Sequence, residues 1–156
     1  MKPGIKYPLS KKNLFFDCCI AKLIWQYVSK FLDLNLGIDF ESVARFWLGN
    51  KKHLVTNAVS AAVLWSFWKF RNELCFQGRV WMGMKEVLYK IAKTLERWVP
   101  VMQQEAGDAI KKVVRALEQE ASHHSTDVGQ PGGFVIKVGS IGCSAYGLQR
   151  CNFESE

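Results

Sequence analysis

Two adjacent cysteines, Cys18 and Cys19, are the residues of this sequence whose type best suits metal chemistry. They lie in the stretch NLFFDCCIAKLIWQYVSKF, residues 13–31, where a polar beginning turns into an apolar run rich in aromatics. Structural zinc needs four Cys or His ligands in tetrahedral closure, and neighbouring side chains on a helix point about 100° apart. No close paired spacing of a known finger occurs among the other candidates, His53, Cys75, His123, His124, Cys143 and Cys151. We therefore expect Cys18 and Cys19 to be small buried apolar residues, and His123 and His124 to be a solvated pair.

Catalytic motifs are absent from the sequence. Two-metal phosphoryl transfer would need a carboxylate cluster, and no Tyr/Phe-x-Asp-Asp phrase, phosphate loop, GxSxG elbow or HExxH helix occurs. The glycine-rich stretches GQPGG and GSIGCSAYG do not follow a strand and open a helix, as phosphate binding would require. A Cys/His nucleophile built on Cys18, Cys75 or Cys143 stays formally open. The sequence predicts a protein that is not an enzyme and has no cofactor.

Positive charge is concentrated in the first hundred residues. Residues 1–100 contain 16 Lys or Arg against 7 Asp or Glu, whereas residues 101–156 contain 5 against 7. Such an excess favours salt-sensitive contact with phosphate, although cations spread over several helices can also be solvated faces. The candidate contacts to RNA or DNA are Lys11, Lys12, Lys51, Lys52, Lys69 and Arg71.

Trp65 and Trp68, three residues apart, adjoin the cations Lys69 and Arg71. Aromatic faces beside cations can stack on bases of single-stranded nucleic acid. The alternative is that both tryptophans are buried in the core and the cations form the exposed end of the helix. We favour the core, because the apolar stripe through Leu54, Ala58 and Ala61 continues through both tryptophans.

Helical periodicity dominates the chain. Apolar residues recur at helical spacing from Phe16 to Phe31, and Asp39 is placed to cap a short helix that Gly49 ends. A long helix that is apolar around most of its circumference follows Asn50 and ends near Gly78. Two amphipathic segments, 84–98 and roughly 106–120, flank Pro100, and the pattern does not decide whether they are one kinked helix or two.

These segments predict an all-α fold, a small irregular helical bundle with a flexible, mostly non-helical C-terminal tail. A chain of 156 residues with 49% hydrophobic residues is long enough to bury a core. We expect an irregular lead-in at 1–12, a helical domain at 13–121 and a linker and loosely ordered tail at 122–156. Within that tail, FVIKVG has the pattern of a short strand.

The cellular setting follows from the cysteines and the apolar segments. Five cysteines and no apolar secretory region near the first residue indicate a reduced, intracellular location. The most apolar run, Leu54 to Trp68, is shorter than the roughly 20 residues needed to span a bilayer. We expect a buried helix there, and no membrane partner.

Two phrases together resemble a known family. NLFFDCCIAKLIWQYV at 13–28 and AAVLWSFWKFRNELCFQG at 61–78 are similar to the end of the zinc-binding domain, and the helical region after it, of plant reverse-transcriptase-like proteins of non-LTR (LINE-type) retrotransposons. The resemblance covers about residues 12–98. It implies a zinc site of an upstream Cys-x-x-Cys pair followed by His-x4-Cys.

Only one ligand of the implied zinc site survives in this chain. Cys18 matches the final cysteine, but Asn13 stands at the histidine position and Cys19 at a usual proline position. The resemblance therefore implies a non-catalytic, retrotransposon-derived fragment with a degenerate zinc site, in which Cys18 is unoccupied.

Three hypotheses for function remain open at this point. The first is weak association with nucleic acid through the basic residues. The second is a helical protein-interaction module, or an incomplete fold that self-associates to cover surplus apolar surface. The third is that the reading frame has no present role.

Overall fold

A computed structural model describes residues 15–16, 18–37, 39–47, 51–77, 83–124, 135–136 and 143–144. The helices of these ranges are α1 (Cys19–Phe31), α2 (Phe40–Ala44), α3 (Leu54–Phe76), α4 (Met84–Trp98) and α5 (Gln104–His123). Short 3₁₀ turns at Lys51–His53 and Val99–Val101 precede α3 and follow α4. The predicted all-α class is confirmed. The predicted lead-in and nearly all of the predicted tail lie outside the described residues.

Within the predicted tail, the structure describes two strands of two residues each, β1 (Val135–Ile136) and β2 (Cys143–Ser144). They pair antiparallel, with Val135 opposite Ser144 and Ile136 opposite Cys143. β1 lies inside the FVIKVG phrase that predicts a strand. A ladder this short adds little stability by itself.

Helix α1 is amphipathic and carries Trp25, the largest fully buried side chain among the described residues. Ile24 and Trp25 are fully buried, and Phe16 stacks on Trp25 with ring centroids 5.4 Å apart. The indole Nε1–H of Trp25 donates to the backbone carbonyl of Phe15 at 2.8 Å. The aromatic pair before the helix therefore folds back onto the first core helix.

The end of α1 is a Schellman motif in which an aspartate takes the usual place of glycine. Asp33 has φ 49°, and its N–H donates to the carbonyl of Lys30 while that of Leu34 donates to Ser29. These two bonds satisfy carbonyls that a helix end leaves open. The chain then turns at Gly37, φ 76°, toward α2.

Asp39 caps α2, as the sequence predicts. Its Oδ1 accepts from the backbone N–H of Ser42 at 2.7 Å, and its Oδ2 accepts from the Ser42 hydroxyl at 2.9 Å. These hydrogen bonds, the backbone one first, hold the pKa of Asp39 below its usual value. Because the folded-state pKa is lowered, the contribution of this cap to stability is present above the unfolded-state pKa and is lost as the pH falls through the folded value.

We expect Gly37→Ala to lower the free energy of unfolding by about 2 kcal/mol, because a left-handed backbone disfavours a Cβ. That Cβ would also lie 2.3 Å from Cβ of Ser42. Gly107→Ala is the matched control. Gly107 lies in α5, and a Cβ there would be 3.6 Å from Cγ1 of Val99, an ordinary van der Waals distance. We expect the control to gain roughly 0.5–1 kcal/mol of helix stability. Urea denaturation measures both, and equal effects of the two variants would contradict the account.

Helices α4 and α5 form a hairpin, and α3 packs against both. The 3₁₀ turn that contains Pro100 separates them, so the segments flanking Pro100 are two helices. Leu88, Ile91 and Leu95 of α4 are fully buried, as are Ile110 and Leu117 of α5. Helix α1 contacts the bundle through α5.

His124 joins the end of α5 to α1. Its Nε2 lies 3.2 Å from the hydroxyl of Tyr27, and the two rings meet edge to face. The expectation that His123 and His124 form a solvated pair is therefore wrong for His124, which is half-buried, whereas His123 is exposed. Burial, followed by the negative charge of Glu120, raises the pKa of Tyr27 to about 12. A separation of 97 residues hides this contact from any local pattern.

Candidate nucleic-acid interface

Cys18 is the N-cap of α1. Its backbone is extended, and its Sγ accepts a hydrogen bond from the N–H of Ala21 at 3.3 Å. The side chain is half-buried, so the expectation of a buried apolar residue is wrong, because the thiol sulfur satisfies one of the open amides of the first turn. Among the described residues, no group of three or more His, Cys, Asp or Glu side chains could hold a metal ion.

We expect Cys18→Asp to raise the free energy of unfolding by roughly 0.5–1 kcal/mol, because a carboxylate caps better than a thiol and interacts favourably with the helix dipole. The first turn of α1 contains no acidic residue that would oppose the change. Cys18→Ala is the paired variant, and we expect it to be less stable than the wild type. Thermal unfolding with and without added zinc measures both. A stabilisation of the wild type by zinc that Cys18→Asp abolishes would contradict the capping role.

Trp65 and Trp68 are not in the core. They are 48% and 45% exposed and stack on each other, with ring centroids 5.0 Å apart. The prediction that both are buried is wrong because α3 is apolar around its circumference, and the bundle covers the opposite face through Val59, Val63 and Phe67. Leu54 and Ala61 of the same stripe are exposed as well, whereas Ala58 is buried.

The six predicted phosphate contacts do not form one described surface. Lys11, Lys12 and the side chain of Lys51 lie outside the described residues. Lys52 and Lys69 are exposed, but they are 17 positions apart, which corresponds to about 26 Å along a helix axis. Lys69 and the half-buried Arg71 are two positions apart, so their side chains leave α3 about 160° apart.

Lys69 instead lies beside three cations of α4. An open groove of about 310 Å³ runs between α3 and α4, and its cations are Lys69, Lys90, Lys93 and Arg97. Glu86 is the carboxylate of its lining. We call this surface the basic groove. Lys90, Lys93 and Arg97 follow one another at helical spacing, and that spacing is the sequence signal that marks one side of the groove.

Carboxylates at the rim neutralise part of the basic groove. Lys90 Nζ lies 2.5 Å from Glu73 Oε2, which ties α4 to α3, and Lys93 Nζ lies 2.6 Å from Glu96 Oε2. The hydrogen bond that Lys93 donates to Glu96 raises the pKa of Lys93. The groove and its rim contain four cations and three carboxylates, Glu73, Glu86 and Glu96, so their net charge is +1.

Two cations of the basic groove are available to a ligand. Within the described ranges, Lys69 and Arg97 form no ion pair, and both are exposed. They come from the two helices that flank the groove. The hydroxyls of Ser66 and Thr94 lie 3.5 Å apart in the lining, and Thr94 also donates to the carbonyl of Lys90. Because Thr94 donates its single hydroxyl hydrogen to Lys90 and Ser66 can donate its own to Thr94, the groove can hold an anion between the two helices through the charges of Lys69 and Arg97.

No helix in the described part of the chain is both long enough and apolar enough to cross a membrane. In comparisons with protein-family models, with curated proteins and with solved structures, nothing matches this chain.

Proposed function

We propose that this chain is a non-catalytic helical domain that binds nucleic acid weakly and without sequence specificity through the basic groove. The observation that carries the proposal is the convergence of Lys69 from α3 with Lys90, Lys93 and Arg97 from α4. Such contacts go to phosphates, which position a strand but do not read its sequence.

The spacing of the α4 cations suits a phosphate backbone. From Lys90 to Arg97 the helix rises about 10 Å, which is close to three nucleotide steps of about 3.4 Å each, measured along the axis of a double helix. Lys69 lies across the groove from this row. A net charge of +1 in the groove and its rim supports weak binding, because the carboxylates compete with phosphate for Lys90 and Lys93.

Descent from a retrotransposon reverse-transcriptase-like protein is part of the same proposal. Its support is the two-phrase resemblance, in which Asn13 replaces the histidine ligand and Cys18 alone is retained. The capping bond of Cys18 gives that cysteine a reason to persist without zinc. An intracellular location, with no cofactor, completes the proposal.

A salt series tests the binding. Fluorescence anisotropy with labelled RNA and single-stranded DNA of about 15 nucleotides offers a strand longer than the few nucleotides that the α4 cations span. If two to four phosphates are neutralised, the affinity falls roughly 7- to 50-fold between about 50 and 200 mM salt. Absence of binding at the lower salt concentration, or binding that salt does not weaken, would contradict the proposal.

A helical protein-interaction module is the second candidate function. The observation that favours it is the apolar surface of α3, where Phe76 is 77% and Leu54 is 39% exposed in addition to the two tryptophans. Large exposed apolar patches mark interaction sites in soluble proteins. Ser66 of α3 lines the basic groove, and this apolar surface lies on a different part of the same helix.

A further inference from the structure

An aromatic side chain, Tyr89, lines the basic groove beside its cations. Tyr89 is half-buried and packs against the hydrophobic core, so the fold fixes the position of its ring. A flat aromatic surface and a set of positive charges therefore lie along the same groove. A nucleotide carries the matching pair of groups, a flat uncharged base and an anionic phosphate.

Two contacts between α3 and α4 set the order of the charged groups along the groove. The hydroxyls of Ser66 and Thr94 lie 3.5 Å apart. The carboxylate of Glu73, further along α3, pairs with Lys90, which comes earlier on α4. The two helices therefore run antiparallel, and Lys69 lies opposite the turn of α4 between Lys90 and Thr94.

Tyr89 lies at one end of this charged turn, and Arg97 lies at the other. Lys93 is about one helical turn, roughly 6 Å, beyond Tyr89, and Arg97 is one turn further. Glu86, about one turn before Tyr89, also lines the groove, and its negative charge disfavours a phosphate at that end. The charges therefore favour phosphates near Lys69 and Arg97, and they leave the Tyr89 end to an uncharged group.

The groove is too small to take in a duplex. Its volume of about 310 Å³ is at the lower limit of the roughly 300–1,000 Å³ of small-ligand pockets. The bases of a duplex are also enclosed in the stack, whereas unpaired bases stack on aromatic side chains. We propose that the substrate of the basic groove is a single strand, with one unpaired base stacked on Tyr89 and the adjoining phosphates bound by Lys69 and Arg97. The inference deepens the proposed function and rests on it.

Lys85 already contacts the ring that the base would stack on. Its Nζ lies over Tyr89, 5.8 Å from the ring centroid. An exposed cation–π contact shifts an equilibrium roughly two- to fivefold, whereas one stacked base contributes about 5- to 140-fold. The base therefore displaces Lys85. The indoles of Trp65 and Trp68 are less suited, because each covers one face of the other and neither is in the lining of the groove.

Two DNA strands with equal numbers of phosphates separate base stacking from phosphate contacts. One is oligothymidylate of about 15 nucleotides, and the other has the same backbone with abasic sites in place of the thymidines. In anisotropy titrations at about 50 mM salt, we expect the wild type to bind oligothymidylate at least about fivefold more tightly. Tyr89→Leu keeps an apolar side chain against the core but removes the ring, so we expect it to bind both strands alike.

Two controls test the variant itself. Tyr89→Phe keeps the ring, and we expect its affinity for oligothymidylate to stay within about twofold of that of the wild type. Because the bases of a duplex are paired, we expect Tyr89→Leu to bind a DNA duplex as the wild type does. Unchanged circular dichroism checks the fold of each variant.

Three outcomes would overturn the stack on Tyr89 and leave the phosphate site intact. The first is equal, salt-sensitive binding of both strands by the wild type. The second is a base preference that persists in Tyr89→Leu, which would assign the base to Trp65 and Trp68. The third is an equal loss of affinity of Tyr89→Leu for the single strand and the duplex, which would mean a structural role. No binding of either strand by the wild type at about 50 mM salt would contradict the proposed function, and this inference with it.

Discussion

Neutralising Lys69 and Arg97 together is expected to weaken nucleic-acid binding by about tenfold at low salt, because two phosphate contacts are lost. Each lost contact also lowers the slope of log affinity against log salt concentration by about one. These are the exposed cations that flank the basic groove from α3 and α4 without an ion pair in the described ranges. The variant Lys69→Gln/Arg97→Gln keeps the side-chain length close to the original and removes two charges. Anisotropy at several salt concentrations measures both affinity and slope.

The matched control is Lys112→Gln/Arg115→Gln on α5. It removes one lysine and one arginine, so its net charge equals that of the groove variant, and both residues are exposed on a helix whose other side is buried. We expect the control to keep most of the affinity. Equal losses in the two variants would mean that overall charge attracts the strand, which would contradict a site in the groove.

Replacing Trp25 by alanine is expected to lower the free energy of unfolding by about 3–5 kcal/mol, the range for removing a large aromatic from a core. Trp25 is fully buried, stacks on Phe16 and donates to the carbonyl of Phe15. The loss therefore includes the docking of the residues before α1. Urea denaturation followed by circular dichroism measures it.

Trp25→Phe separates packing from the hydrogen bond. Phenylalanine retains an aromatic ring to stack on Phe16 but leaves the Phe15 carbonyl without its indole donor, which costs about 1–3 kcal/mol when the group stays buried. We expect this variant to fall between the wild type and Trp25→Ala. A Trp25→Ala variant that loses less than about 1 kcal/mol, the size of a typical single substitution, would contradict a central place for Trp25 in the core.

Local patterns predicted much of the fold. The period of apolar residues identifies α1, α4 and α5, whose opposite faces differ in polarity. The sequence was sufficient to predict Asp39 as the cap of α2, because its hydrogen bond with the Ser42 N–H spans only three residues. Asp33 shows the limit of such rules, because the left-handed turn after α1 uses an aspartate where glycine is usual.

Helix α3 was harder to interpret for a physical reason. An amphipathic helix has one apolar face to bury, but α3 has apolar residues on all sides, so periodicity alone cannot tell which side meets the bundle. Trp65 and Trp68 were assigned to the core, but the side of α3 that carries them faces solvent. The choice depends on where α4 and α5 pack, which is tertiary information.

The basic groove likewise depends on tertiary packing. Lys69 and Lys90 are far apart in sequence, and only the approach of α3 to α4 brings them to one surface. The spacing of Lys90, Lys93 and Arg97 was visible in the sequence, but it could equally mark a solvated helix face. Lys52, Lys69 and Arg71 seemed equivalent as cations, and the helix geometry separates them.

An amide chemical-shift map of the wild type with a short unlabelled RNA strand tests the central claim most directly. At low salt, the account predicts that the largest shifts fall on Ser66 to Glu73 of α3 and on Glu86 to Arg97 of α4, and that added salt reverses them. Shifts confined to α5 or to the indole N–H groups of Trp65 and Trp68, or no shifts at all, would contradict binding in the basic groove.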